Sequence, residues 1–184
     1  MKRIFLQARR IALRALEPQD LTDRYLQWLN DERVCAGNGH AVFPNTRRKM
    51  RDYFKATRNS RNEIVLAIVT RQGGRHIGNV SLIDIDWVSR SAAFAILVGD
   101  LKWWGKGIGI EAGKLVMDYA FTRLNLHRVH CGTLENNVGM QKLAAHLHMR
   151  KEGRRREAIF KTGKYIDILE YGVLKREYMA RERS

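Results

Sequence analysis

Cysteine, proline and acidic side chains are scarce in this 184-residue chain, and long apolar runs are missing. Its two cysteines, Cys35 and Cys131, form neither a disulfide framework nor a metal-ligand spacing, so both are read as reduced core thiols and no metal is expected. Its two prolines, Pro18 and Pro44, both fall early, and no proline-rich linker, repeat or low-complexity tract divides the sequence. No apolar stretch approaches the roughly 20 residues of a membrane span. The basic start Met1-Lys2-Arg3 leads into an apolar segment too short for a secretion signal. A cytoplasmic location with no membrane partner is therefore expected. Asp and Glu number 19 against 34 Lys and Arg, a net charge of +15. Such a field favours anionic partners (nucleic acid, or phosphate-bearing cofactors and substrates) and counts against a small polycation such as a polyamine.

What is present is the composition of a folded protein: 45% hydrophobic and 29% charged residues. The length suits one domain, 1–184, with a core over about 9–174. Alternation at Ile11, Leu13 and Ala15 predicts a strand at about 9–16. Glu17-Pro18-Gln19-Asp20 predicts a helix start, with Leu21, Tyr25, Trp28 and Leu29 on one face up to about Asn30. The segment 35–45 is a loop, and Thr46 caps a second helix to about Arg58. Branched residues at 63–69, the Gly73-Gly74 turn and the stretches 76–86 and 92–98 predict an antiparallel meander. Helical spacing returns at 107–124. A strand at 127–134, a helix from Asn137 and strands near 149–161 and 164–174 follow. The fold class is α/β, with a mixed, mostly antiparallel sheet of about seven strands and about four helices.

One segment carries chemistry. A strand ending at Leu97-Val98 runs into Trp104-Gly105-Lys106-Gly107-Ile108-Gly109, which opens a helix. Three glycines at alternate positions let backbone N–H groups converge, and the helix adds its own unpaired N–H groups and its positive dipole end. That is an anion site suited to a diphosphate. The P-loop ending is missing, since Ile108-Gly109-Ile110 stands where Gly-Lys-Ser/Thr would be. A dinucleotide fingerprint belongs to a first βαβ unit, whereas antiparallel strands precede this loop.

The segment resembles the coenzyme A loop of the GNAT acetyltransferase superfamily, Arg/Gln-x-x-Gly-x-Gly/Ala, with Trp104 placed where Arg or Gln is usual. Asp118-Tyr119-Ala120-Phe121, Leu124 to Val129, and Glu135-Asn136-Asn137-Val138-Gly139-Met140 are similar to the branch with ribosomal-protein N-terminal and amino-sugar acetyltransferases. Met140 stands in a usual Ser place, and His146-Leu147-His148-Met149 replaces a Lys-x-Gly-Phe signature.

The resemblance implies acetyl-CoA as acetyl donor. It implies that the backbone of Leu97 and Val98 pairs with the pantetheine arm, that Gly105, Gly107, Ile108 and Gly109 wrap the diphosphate, and that Lys106 screens its charge. Asn137 either bonds the pantetheine or caps its own helix. The implied reaction is direct attack of a primary amine on the thioester, with the Val98 N–H stabilising the oxyanion. Candidate bases are Glu135, then Asp84, then His76, the last expected to be solvated beside its turn. The family's Tyr that protonates the leaving thiolate is replaced by Ala144. Trp28, Asn30 and Tyr165 are candidate acceptor contacts, Trp28 fitting a core position on its amphipathic helix better.

The expected acceptor is a nucleotide-linked amino sugar or similar small amine, anionic or phosphate-bearing. The N-terminus of a ribosomal or other protein is the alternative, with ribosome association. The rival class is a module that binds nucleic acid through Met140 to Arg156, or binds CoA without catalysis. Monomer and homodimer both remain open.

Overall fold

In a computed structural model, residues 4–182 are described. The chain forms β1 (Leu6–Gln7), β2 (Ile11–Ala15), α1 (Asp23–Asn30), α2 (Arg47–Asn59), β3 (Ile64–Thr70), β4 (His76–Asp86), β5 (Ser91–Val98), α3 (Ile108–Thr122), β6 (Arg128–Leu134), α4 (Val138–His146), β7 (Arg150–Lys161), β8 (Lys164–Leu174) and α5 (Lys175–Arg181). All strands join one eight-stranded sheet in the order β1-β2-β3-β4-β5-β6-β8-β7. Every neighbouring pair is antiparallel except β5–β6.

The sheet is covered on both faces because its central strands are apolar on both. Along β2, Ile11 and Leu13 point to one side and Ala12 to the other; along β3, Leu66 and Ile68 oppose Ala67 and Val69. The first side packs on α3, α4 and α5 through Ile108, Ala112, Phe121, Leu147 and Tyr178. The second packs on α1 and α2 through Tyr25, Trp28, Met50 and Phe54.

Three elements depart from expectation. The helix expected from Glu17 begins later: Pro18–Asp20 is a single 3-10 turn, and α1 starts behind Thr22, whose hydroxyl accepts from the Tyr25 amide at 3.3 Å. Asp20 causes the break. It is withdrawn from the helix surface to pair with Arg14, at 2.6 and 2.7 Å, in a buried ion pair. The two-residue β1 was too short for alternation to show. Beyond 174, α5 returns to the core and buries Tyr178 completely, its hydroxyl donating to Asp118 at 3.0 Å.

The arginine-rich stretch after α4 forms β7, the outermost strand, exposed along nearly its whole length. Three of its arginines are matched to carboxylates: Arg150 with Glu177, Arg154 with Glu135 and Asp167, and Arg155 with Glu170. A helix–arginine unit for reading a nucleic-acid groove does not exist here, because the arginines leave the helix and lie on a strand. Among the described residues no helix is long and apolar enough to cross a membrane.

Candidate functional site

β5 and β6 set the site. They run parallel and pair only at Ser91, Ala92 and Ala93, opposite Arg128, Val129 and His130. Beyond Ala93 the strands part while β5 stays bonded to β4 as far as Val98. The opening is a cleft of about 830 Å³, walled by β5, the glycine loop, the start of α3, the end of β6, α4 and the 33–38 segment. That volume lies in the range of small-molecule sites.

The free edge of β5 has a definite register. The Gly99 amide donates to the Ile77 carbonyl at 3.0 Å, and antiparallel bonding alternates, so Leu97, opposite Asn79, also turns its backbone toward β4. The backbone groups of Ile96 and Val98 turn the other way, into the cleft. This corrects one expectation: Ile96 and Val98, not Leu97 and Val98, offer main-chain groups to an extended ligand. The Val98 carbonyl already accepts from the Trp104 indole Nε1 at 2.7 Å. Trp104 thus ties the glycine loop back onto β5, a link that sequence does not show.

Behind Val98 the chain is braced. A Cβ on Gly99 would run into the Trp28 ring, so only glycine lets the strand end lie against α1. Trp28 is a buried core residue, 6% exposed, and does not line the cleft. Its ring meets those of Tyr25 and His76 at 5.7 and 5.2 Å. His76 is buried too, which overturns the expectation of a solvated base. Its Nε2 lies 2.9 Å from Asn79 Oδ1, and its Nδ1 is 4.0 Å from Asp20. Burial pushes the His76 pKa below its ordinary value, against the opposing pull of Asn79 and Asp20.

In the loop, Gly105 and Gly107 have φ of +70° and +72°, and Gly107 is the left-handed residue that opens α3. A Cβ at Gly105 would meet nothing within 4 Å. Lys106 lies over the Trp103 ring, 5.5 Å from its centroid. Ile108 is buried, so its contribution to a ligand is its main chain. Across the cleft, Asn137 does two jobs. Its Oδ1 caps α4 through the Met140 amide at 3.1 Å, and its Nδ2 donates to the Gly37 carbonyl at 3.2 Å. The 33–38 segment is fastened a second time by Lys161, whose ammonium reaches the carbonyls of Cys35 and Asn38 at 2.5 and 2.7 Å. Neither clamp was read from the sequence, since each joins residues at least 100 positions apart.

The other sequence-derived candidates lie outside the cleft wall. Asp84 is exposed, at φ +51°, within the irregularity that interrupts β4–β5 pairing between Ile83 and Asp86, at the opposite end of the strand from Gly78 and Val98. Tyr165 is 64% exposed on the β7–β8 hairpin, its ring edge-on to Phe160. Asn30 fastens Asn45, taking the Asn45 amide at 2.9 Å and donating to its carbonyl at 3.1 Å. Glu135 follows the end of β6 and precedes the cleft residue Asn136; its carboxylate is 2.9 Å from Arg154 Nη2. No Asp or Glu lines the cleft among the described residues, and no group of three His, Cys, Asp or Glu is placed to hold a metal.

An acyl-CoA fits this wall. Thr133, 4% exposed and part of the cleft, has a buried hydroxyl with no hydrogen-bond partner, which a polar ligand would satisfy. The glycine amides suit the diphosphate and the Ile96–Val98 edge suits the amide-bearing arm.

Known proteins agree with this architecture. Residues 10–150 match the acetyltransferase (GNAT) domain family. The chain is 33% identical over 112 residues to the N-acetyltransferase p20 of Bacillus licheniformis, covering 61% of this chain and 62% of that protein. It is 30% identical over 111 residues to the spermidine N(1)-acetyltransferase of Escherichia coli K12, covering 60% and 59%. The aligned part thus spans about three fifths of these relatives' length. The crystal structure of Vibrio cholerae spermidine N-acetyltransferase with CoA and spermine superposes with a TM-score of 0.84, at 25% identity, covering 92% of this chain and 98% of that one. Fold, glycine loop and sequence match converge: the chain belongs to the GNAT acetyltransferase family.

Proposed function

We propose that this protein is an acetyl-CoA-dependent N-acetyltransferase acting on a primary amine carried by an anionic or phosphate-bearing molecule, a nucleotide-linked amino sugar being the leading case. The single observation behind catalysis is the divergence of β5 from β6, which leaves the Val98 N–H turned into a cleft that ends on a glycine-lined helix start.

Bound acetyl-CoA supplies the acyl group as a thioester. The glycine loop and the main chain at Gly105, Gly107, Ile108 and Gly109 hold the diphosphate end, with Lys106 beside it. Ile96 and Val98 fix the arm, and Asn137 shares its amide between Gly37 and the ligand. The Val98 N–H donates to the carbonyl oxygen as charge builds there. Trp28 against Gly99 and Trp104 on the Val98 carbonyl hold that amide in place. Glu135 takes the amine proton through water. Position 144 is a buried alanine, so the sulfur departs as thiolate without a side-chain acid, its conjugate thiol having a pKa of about 8.5, and takes its proton from water afterwards.

Charge and chemistry both support an acceptor that is not a polyamine. A net charge of +15 repels a polycation. An acceptor amine of pKa about 8 is partly neutral at pH 7 and needs less of a base than one near 10. The spermidine acetyltransferase relatives make polyamines the reading to beat, and a ribosome-bound N-terminus shares the favourable charge.

The experiment is an acceptor screen with acetyl-CoA, reading free CoA thiol, across UDP- and dTDP-linked amino sugars, ribosomal N-terminal peptides and spermidine. Turnover on the anionic amines is expected. Turnover on spermidine alone overturns the acceptor, and the absence of CoA release with every amine reduces the protein to a CoA-binding module.

A further inference from the structure

Arg10 lies in the turn between β1 and β2, about a hundred residues from the glycine loop, and nothing in the loop's own sequence points to it. The structure places it there nonetheless. Its amide and Nε both donate to the Glu111 carboxylate, at 3.1 and 2.6 Å, and Glu111 is in the first turn of α3. This grip lays the guanidinium over the start of the helix: Nη2 is 3.0 Å from the point where a Cβ on Gly107 would stand. Among the described residues neither Nη has a hydrogen-bond acceptor. The side chain remains 44% exposed, so it is open to a ligand.

Two features make this arrangement hard to explain as surface decoration. Glu111 puts a negative charge one turn from the amides that would receive a diphosphate, so alone it would weaken anion binding. Arg10 offsets that charge and leaves the N–H groups of both Nη atoms without an acceptor among the described residues, Nη2 beside Gly107. The loop also lacks a guanidinium of its own, because Trp104 stands at its lead position and is turned onto Val98.

Resting on the acetyl-CoA reading above, we infer that Arg10 is a diphosphate-binding residue of the coenzyme site, held in position by Glu111. Its Nη groups would donate to a phosphate oxygen bound by the Gly105–Gly109 amides, so the site is completed from the opposite end of the sequence.

Calorimetric titration of the full chain with acetyl-CoA, and with acetyl-pantetheine, which has no diphosphate, tests this. Arg10→Ala should weaken acetyl-CoA by about ten- to a hundredfold, the range of one lost hydrogen bond to a charged group. It should leave acetyl-pantetheine unchanged. Arg10→Lys should retain part of the affinity. In the double variant Arg10→Ala/Glu111→Gln, removing the uncompensated carboxylate should restore part of the acetyl-CoA affinity, a rescue that a purely structural ion pair would not give. Equal acetyl-CoA affinity in the wild type and Arg10→Ala overturns this inference and leaves the cofactor site standing. Equal losses for both ligands also overturn it, by assigning Arg10 to the fold. A wild type that binds no acetyl-CoA removes the cofactor site itself.

Discussion

Trp104 and Val98 are joined across the mouth of the glycine loop by a 2.7 Å hydrogen bond from the indole to the strand-end carbonyl. The bond ties Val98, whose own N–H turns into the cleft, to the glycine loop that follows it. Trp104→Phe keeps the ring and deletes the donor. Acetyl-CoA affinity should fall about two- to tenfold, the range for one neutral hydrogen bond. The melting temperature should move little, since Trp104 is 48% exposed. Calorimetry beside a thermal melt checks both, and unchanged affinity would show that the loop holds its shape without this tie.

Glu135 is both the nearest chain neighbour of the cleft residue Asn136 and the partner of Arg154. Its two roles separate in kinetics. As the base, Glu135→Gln lowers kcat by about 10²-fold or more while acetyl-CoA affinity stays fixed. As a strand fastener only, it leaves kcat near wild type, and surface pairs of this kind contribute at most about 1 kcal/mol to stability.

The buried pair Arg14–Asp20 beneath α1 governs stability and its pH dependence. Asp20→Asn removes the counter-charge from a guanidinium that is 1% exposed, and should cost about 3–5 kcal/mol in urea unfolding. Burial alone would raise the Asp20 pKa, but hydrogen bonds from the Arg14 side chain and the Glu17 amide outweigh it and hold the carboxyl below its ordinary value. Its contribution is therefore present above the unfolded-state pKa, about 3.9, and is lost as pH falls through the lower folded value. His76, depressed by burial, acts in the same direction higher up: its contribution is full above about 6.5 and declines as pH drops below that. Melting temperature should thus fall from pH 7 to pH 5, and His76→Gln should flatten that slope. A slope identical in the variant would assign the loss to other groups.

Much of the fold was written in local pattern. The meander showed in its branched residues and its Gly73-Gly74 turn, α3 in its helical spacing, and the anion loop in its glycines, because each signal lies within a dozen neighbouring positions. The errors fall where distant residues decide. His76 looked solvated beside a turn, yet Tyr25 and Trp28 from α1 enclose it. Asp20 looked like a helix residue until Arg14 drew it inward. The charged segment 175–181 hid α5, whose single deep anchor, Tyr178, meets Asp118 60 positions away. At the site, the glycine loop was legible, whereas Arg10, Trp104 and Lys161 act through contacts that only folding creates.

The outermost strand carries a last consequence. A sheet border with open main-chain groups invites another molecule to continue the ladder. Along β7 such a guest would find no straight line to follow, because two irregularities, between Lys151 and Gly153 and between Arg155 and Ile159, bend this margin. Arg150, Arg154 and Arg155 are already paired with carboxylates, so the broken line, and not their charge, is what works against fibril growth here.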